Sequence, residues 1–337
     1  MKNVDSELVV VRKVSDATAE ELAVLKDRAY EVGAAYGVAA SDYLNAAAEM
    51  SRAGYREQAG DLAELATKIQ LVGDVSQDVA NKFLIATDKS YKMNGNFQKL
   101  SSTIDKLNEI DNNFATSFEK VADGIGLLAP VAAQAHVSFE KMAAAIGTVT
   151  AVTQRSGTES ARALRSLYLN ILRDTKTEID DGVTWTVEEI NNLQDALRKY
   201  APEVVKAAEA TGELINPMEA VGALAKSYKE GLLNEQKLFE IVSGLGGKLR
   251  TSQLLALIQN WDMYNQMLEK TADAAGSADR EVSNALDSWE KKLQQLKNTF
   301  TQFTTTILDS DEIKGFIDAA NMFLKSIDNP EEYSEKF

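Results

Sequence analysis

The run RSGTESARALRSLYLNIL, Arg155–Leu172, contains the turn and the helix start from which the fold of this chain can be worked out. Gly157 is predicted to leave the preceding helix with a positive φ, because glycine has no side chain to oppose that conformation. Thr158 is predicted to cap the next helix, and Glu159 places a negative charge in its first turn, where the helix dipole favours it. The apolar residues that follow stand three or four apart on one helical face: Ala161, Leu164, Tyr168 and Ile171.

The same helical spacing recurs along most of the chain. It is found in Val79–Ala86, Phe118–Leu128 and Phe139–Val149, whereas strict alternation of apolar and polar residues is nearly absent. Helix starts are predicted at Thr18 with Glu21, Thr116 with Glu119, Thr186 with Glu189, Ser76 and Ser138. Glycines at intervals of about 20 residues predict short helices joined by tight turns: Gly54, Gly73, Gly95 and Gly157. The predicted fold class is mainly α, a bundle of punctuated helical hairpins.

One segment, TEIDDGVTWT at Thr177–Thr186, departs from this pattern. Asp181-Gly182 lies between β-favouring residues, as in a hairpin turn, so a small β-hairpin or an ordered loop is predicted there. Pro202 and Pro217 follow and should break a helical region into shorter pieces. A domain boundary is therefore predicted near residue 175.

The most regular periodicity lies near the C-terminus and predicts a surface for assembly. From Val282 and Leu286 onward, apolar residues alternate four and three apart. The predicted assembly seam consists of Trp289, Leu293, Leu296, Phe300, Phe303 and Ile307. Its flanking positions are first charged and later threonines: Glu290, Lys292 and Lys297, then Thr299, Thr304 and Thr306.

After Asp309-Ser310-Asp311 a similar spacing returns, at Phe316, Ala320, Phe323 and Ile327. It predicts a long C-terminal helical hairpin that folds back on itself. An intermolecular coiled coil stays open as the alternative, although aromatic residues at the a and d positions fit poorly in a two-stranded coil.

Composition excludes several kinds of chemistry. The 337 residues include no cysteine and one histidine, so disulfides, thiolate catalysis, zinc cages and histidine-based triads lack their residues. The net charge of −15 argues against a nucleic-acid surface, which needs a basic stripe. The apolar run Leu8–Val11 is too short for a signal peptide, and no uncharged apolar run of membrane-spanning length occurs. We expect no enzyme activity and no cofactor, and no catalytic, cofactor-binding or metal site is predicted.

Individual residues that resemble functional motifs have simpler explanations. Gly244–Lys248 reads GLGGK, but Val242 and Leu249 occupy positions where a phosphate-binding loop needs glycine and serine or threonine, so a turn between helices is favoured. His136 is interpreted as a helix terminator in left-handed geometry. Carboxylate pairs such as Asp180-Asp181 are interpreted as turn and cap residues, and a glycosidase-type pair stays a minor alternative. A basic cluster is interpreted as a solvated face paired with Glu159: Arg155, Arg162, Arg165 and Arg173.

Five blocks in order between Gly37 and Leu172 carry a resemblance to a known family. They are YGVAASDYLNAAAEMSRAGY, EQAGDLAELATKIQL, DKLNEIDNNFATSFEKVADGIG, AAQAHVSFEKMAAAIGTVT and the run quoted first. Together they resemble the core region of tail tape measure proteins of long-tailed bacteriophages. A weaker match is GLGGKLRTSQLLALIQN, Gly244–Asn260. Pro130 and His136 depart from the family pattern.

The resemblance implies a structural role in tail assembly, tail length determination and genome ejection. The implied partners are tail tube and tail-tip proteins, tail assembly chaperones and further copies of the chain, with no sequence-specific nucleic acid. The implied locations are the lumen of the virion tail and, during assembly, the host cytoplasm. Family members are far longer, so we expect a fragment or a short relative, with membrane contact only through parts absent here.

Two alternatives stay open beside this interpretation, a generic helical scaffold or adaptor module and a domain associated with peptidoglycan hydrolysis. The predicted organisation has four segments. They are an N-terminal segment and helix (1–36), a helical tape-measure core (37–175), a second helical domain with a short hairpin (176–275) and a heptad-patterned helical hairpin (276–337).

Overall fold

The computed structural model describes residues 4–172, 195–212, 214–246 and 250–307. These residues are predominantly α-helical and contain no β-strand, which confirms the predicted mainly α fold class. The helices are α1 (Val4–Ser15), α2 (Ala19–Tyr36), α3 (Ala40–Arg52), α4 (Ala59–Gly73), α5 (Gln77–Tyr91), α6 (Phe97–Asn113), α7 (Phe118–Gln134), α8 (Phe139–Thr153), α9 (Gly157–Leu172), α10 (Pro202–Thr211), α11 (Pro217–Lys229), α12 (Glu235–Gly246), α13 (Thr251–Gln259), α14 (Trp261–Ala272), α15 (Ser277–Leu286) and α16 (Trp289–Ile307). Residues 195–200 are helical as well.

Several predictions fall outside the described residues. These are the hairpin or loop at 177–186, the Thr186 cap, the boundary near residue 175, Arg173 and the second arm of the C-terminal hairpin. Within the described ranges, no helix combines the length and apolar composition that a membrane span requires.

Most predicted helix starts are confirmed by their capping hydrogen bonds. The Thr18 hydroxyl accepts from the Glu21 N–H at 3.2 Å, and the Glu21 carboxylate accepts from the Thr18 N–H at 2.8 Å, which completes a capping box. Ser76 and Ser138 cap α5 and α8. The prediction at Thr116 is wrong by one residue, because Ser117 caps α7 while the Thr116 hydroxyl bonds that of Thr150.

The turn at the start of α9 differs from its prediction. The residue with a positive φ is Gln154, at 55°, and the Ser156 hydroxyl caps the helix by accepting from the Glu159 N–H at 3.2 Å. Gly157 is instead the first residue of α9. A Cβ atom at Gly157 would lie 1.6 Å from the carbonyl oxygen of Lys120. The glycine is therefore required because α7 and α9 cross closely at this point, not because the chain turns there.

The predictions for His136 and the two prolines are confirmed, whereas the prediction for the GLGGK segment is not. His136 follows α7 with a φ of 55°, which confirms its left-handed terminating role. Pro202 and Pro217 begin α10 and α11, so they divide this region as predicted. The turn predicted at Gly244–Lys248 is wrong for its first half, because α12 continues to Gly246. Residues 247–249 lie outside the described ranges.

The described residues cluster into two compact units. The first contains residues up to 68 together with those from 282 onward, and the second contains residues 69–281. In the first unit α3 packs against α1 and α2, and α16 packs against α2. Its buried core includes Tyr43, Leu44, Leu62 and Leu65. An ion-pair network links α2 to α4, since Arg28 lies 2.7 Å from Asp61 and 2.9 Å from Glu64.

The second unit is organised around α7, which packs against α5, α8 and α9. The rings of Phe83 and Phe118 meet edge to face, with centroids 6.1 Å apart. The predicted apolar face of α9 is confirmed, because all four of its residues are buried. The start of α15 is held by three side chains of α6. Asp105 accepts from the N–H groups of Gly276 and Ala278, Asn108 donates to the Ser277 hydroxyl, and Glu109 pairs with Arg280.

Candidate assembly surface

The predicted seam lies on α16, which belongs to the first compact unit. The apolar pattern from Val282 to Ile307 is divided between two helices, because α15 ends at Leu286 and α16 begins at Trp289. The Ser288 hydroxyl accepts from the Lys291 N–H at 3.3 Å and so supports a new helix start. The seam residues, from Trp289 onward, share one helix.

One face of α16 packs closely against α2 and the residue that ends it. Asn298 is buried and donates from its side-chain amide to the Val38 carbonyl. A Cβ at Gly33 would lie 3.0 Å from the Asn298 amide nitrogen, and one at Gly37 would lie 3.0 Å from Lys291. Gly37 also ends α2 in left-handed geometry, with a φ of 61°. The two glycines therefore allow the close approach of the helices, and the chain direction at Gly37 requires glycine as well.

The seam occupies the opposite face of α16. An α-helix turns by about 100° per residue, so positions 291 and 298 point within about 20° of each other. Positions 289, 293, 296, 300, 303 and 307 cluster roughly half a turn away from them. Leu296 is 48 % exposed, and Leu293 and Phe300 are half-buried. The side chains of Trp289, Phe303 and Ile307 lie outside the described part of the structure, so these three are placed by helical register alone.

The edges of this face combine basic and threonine residues. Lys292 lies 3.4 Å from Asp287 in an exposed ion pair. The hydroxyls of Thr299 and Thr301 donate to the carbonyls four residues earlier in the same helix, at 2.9 and 2.8 Å. Because those hydroxyls are engaged within the helix, this end of α16 presents fewer polar groups than its sequence suggests.

The apolar spacing in the sequence predicts one face of α16 but not the residues that orient this face. Gly33, Gly37 and Asn298 decide which side of α16 packs against α2. The two glycines stand four apart in GAAYG, a spacing that brings small residues onto one side of a helix. That pattern could have pointed to a close helix crossing.

Two further kinds of site can be assessed among the described residues, a metal-ion site and a ligand cavity. Among the described residues, no group of three or more His, Asp and Glu side chains is arranged to hold a metal ion. A cavity of about 310 Å³ is lined by α6 and by residues at the end of α14 and in the turn after it, with Asp105 and Lys106 as its charged residues. Asp105 is engaged by backbone N–H groups and Lys106 by Glu140. The cavity therefore presents mainly hydroxyl, amide and methyl groups.

The pKa shifts of individual titratable groups follow from their surroundings. Burial raises the pKa of Asp111 and also that of Asp123. Burial likewise raises the pKa of the Tyr43, Tyr91 and Tyr264 hydroxyls. Arg155 pairs with Glu159 at 3.2 Å while both are exposed, which agrees with the predicted solvated pairing.

Comparison with known proteins gives one family match. Residues 26–247 of the 337 match the family model described as phage-related minor tail protein. No solved structure matches the chain.

Proposed function

We propose that this chain, which belongs to the family of phage-related minor tail proteins, acts in the phage tail as a folded domain of a tail tape measure protein. Family membership establishes the coarser part, a structural role as a phage tail component. The tape measure role adds three functions: determining tail length, guiding assembly of the tube around the protein, and leaving the tail ahead of the genome during ejection.

The length of the helices supports a folded domain that is separate from the ruler, by which we mean the long helical rod of a tape measure protein that sets tail length. A ruler converts chain length into tail length most directly as a continuous helix, which rises about 1.5 Å per residue. The longest described helix, α16, has 19 residues and therefore spans about 28 Å. The described helices are short and pack into compact units, so we assign this chain to an end of the ruler.

The partners proposed for such a domain are tail tube and tail-tip proteins, tail assembly chaperones and other copies of the chain. They would meet it inside the virion tail and, during assembly, in the host cytoplasm. The seam on α16 is the surface proposed for one of these contacts. Recognition would depend on apolar packing flanked by charged and threonine residues.

The proposal is tested by deleting residues of this chain from the complete phage gene that encodes it. Removing residues 251–272, which form α13 and α14, should block assembly or ejection, because both helices pack against α8 and their loss breaks the second unit. Removing a segment of the same length from the ruler would instead shorten the tail by about 33 Å. Electron microscopy of the particles measures tail length. Viable particles with tails shortened in proportion would refute an end-domain role.

A second measurement tests membership of the particle itself. Mass spectrometry of purified virions should detect peptides from this chain if it is a tail component. For the deletion experiment, the matched control removes 22 residues from a predicted continuous helix outside this chain. That deletion should shorten the tails without blocking assembly. Absence of the chain from virions would instead favour an adaptor that acts only during assembly.

A further inference from the structure

Two arginines of α9 carry charges that no described acidic residue neutralises. Arg155 takes up the predicted pairing with Glu159, and the Ser156 hydroxyl also donates to the Glu159 carboxylate, at 3.3 Å. Glu159 is the only acidic residue in the sequence of α9. Arg162 is exposed and Arg165 is half-buried. Within the described ranges, no ion pair or hydrogen bond engages the guanidinium group of either arginine.

A third arginine reaches the same surface from a distant part of the sequence. Arg250, which directly precedes α13, donates from its guanidinium group to the Ser166 hydroxyl at 2.8 Å. Positions 162, 165 and 166 fall within about 100° of arc on α9, and residues four apart in a helix are neighbours. The guanidinium group bound to Ser166 therefore lies beside the two arginines of α9. We call this set the arginine surface: Arg162, Arg165 and Arg250.

The arginine surface is a local excess of positive charge in a chain whose net charge is −15. Helix α13 has no acidic residue, and Glu159 of α9 is already engaged. A guanidinium group stays protonated at any ordinary pH, and its planar fork of N–H donors matches the two oxygens of a carboxylate. The surface therefore suits a ligand that carries several negative charges.

The charge of the whole chain favours a short acidic ligand over a nucleic acid. At physiological ionic strength the Debye length is about 8 Å, so contact with three adjacent arginines outweighs repulsion from distant acidic residues. Duplex DNA carries a charge about every 1.7 Å and would extend beyond three arginines onto the acidic remainder of the protein. A short carboxylate-rich peptide segment can end within the arginine surface.

We propose that the arginine surface binds a short acidic segment of another protein, with carboxylates paired to Arg162 and Arg165. Arg250, positioned by its hydrogen bond to Ser166, pairs with a further carboxylate at the edge of the contact. This interaction surface is separate from the seam on α16. It depends on α9 and the residue before α13, so it holds or fails independently of the tape measure role.

The test measures binding of a fluorescein-labelled octaglutamate peptide to the full chain, by fluorescence anisotropy at about 0.1 M salt. Arg162→Gln with Arg165→Gln removes two charges and keeps long side chains of good helix propensity. Affinity should fall about tenfold in this double variant. Lys206→Gln with Lys270→Gln is the control, because it removes the same charge from exposed positions of α10 and α14. It should change affinity by less than about twofold.

Two further variants test the geometry of the contact. Arg250→Gln alone should weaken peptide binding by about threefold, because its fork contributes one pair. Circular dichroism checks that the variants keep their helicity. If the double glutamine variant does not, Arg162→Lys with Arg165→Lys keeps both charges and removes both forks, and it should still weaken binding by about threefold.

Three results would overturn the proposal. The first is that the parent does not bind the peptide, or that the folded arginine variants bind it as tightly as the parent. The second is tighter binding of a single-stranded oligonucleotide of matching charge, lost in the arginine variants, which would identify phosphate as the ligand. The third is self-association of the parent that the arginine variants lack, which would identify a second copy of the chain as the partner.

Discussion

Gly157 shows how one residue can be essential for a reason that its local sequence does not reveal. An added Cβ would lie 1.6 Å from the Lys120 carbonyl oxygen, and backbone atoms cannot move away as a flexible side chain can. We expect Gly157→Ala to lower the free energy of unfolding by about 3 kcal/mol or more. Gly126→Ala is the matched control, because a Cβ there meets nothing within 4 Å. It should raise stability by about 0.5–1 kcal/mol, as measured by urea unfolding. A Gly157→Ala variant as stable as the parent would contradict the close crossing of α7 and α9.

Glu140 makes a second prediction at the residue scale, in its dependence on pH. Burial alone would raise the pKa of Glu140, but hydrogen bonds from Lys106, its own N–H and Ser138, together with the charge of Lys106, lower it below its ordinary value of 4.5. A carboxylate with a lowered pKa stabilises the fold above its unfolded pKa and loses that contribution as the pH falls through the folded pKa. Glu140→Gln should therefore cost about 1 kcal/mol at neutral pH, after allowance for partial exposure of the pair.

The difference in stability between Glu140→Gln and the parent should narrow as the pH falls below about 4.5, because the unfolded parent binds a proton at Glu140 before the folded parent does. Urea unfolding of both proteins across the acidic range measures this difference. Because other acidic residues titrate in both proteins, the comparison isolates Glu140. A difference that stays constant from neutral to acidic pH would show that the ion pair does not contribute through its charge.

At the scale of elements, the start of α9 distinguishes two neighbouring hydroxyl residues. Ser156 accepts from the Glu159 N–H and its carbonyl accepts from the Ser160 N–H, so it occupies the capping position. We expect Ser156→Ala to lower the free energy of unfolding by about 1 kcal/mol. Thr158→Ala, the control two residues later, should change stability by about 0.5 kcal/mol or less. The reverse order of effects would restore Thr158 as the cap.

At the scale of the whole molecule, the two compact units should respond separately to core substitutions. Leu44 is fully buried in the first unit and Leu164 in the second. Replacing either with alanine should cost about 2–5 kcal/mol through lost burial and a cavity. Hydrogen exchange read by mass spectrometry should show faster exchange mainly in the unit that carries the substitution. Faster exchange throughout the chain from both variants would indicate one cooperative unit.

Much of the fold could be predicted because helical signals are local. Apolar spacing depends only on the 3.6-residue period, and capping at Thr18, Ser76 and Ser138 involves residues three positions apart. The helix caps predicted at Thr116 and Thr158 are wrong by one and two residues, because capping signals are local. Serine and threonine residues one or two positions apart are almost equivalent as caps, so the choice between them depends on where the chain turns.

The sequence by itself determined the mainly α fold class, the helical segments and the apolar seam from Trp289 to Ile307, because these follow from the period and chemistry of neighbouring residues. Only the tertiary structure decided that Gly157 serves a helix crossing, and that Gly33, Gly37 and Asn298 turn the seam away from α2. The physical reason is distance along the chain. Gly157 meets Lys120, and Asn298 meets Val38, across separations that no local pattern encodes.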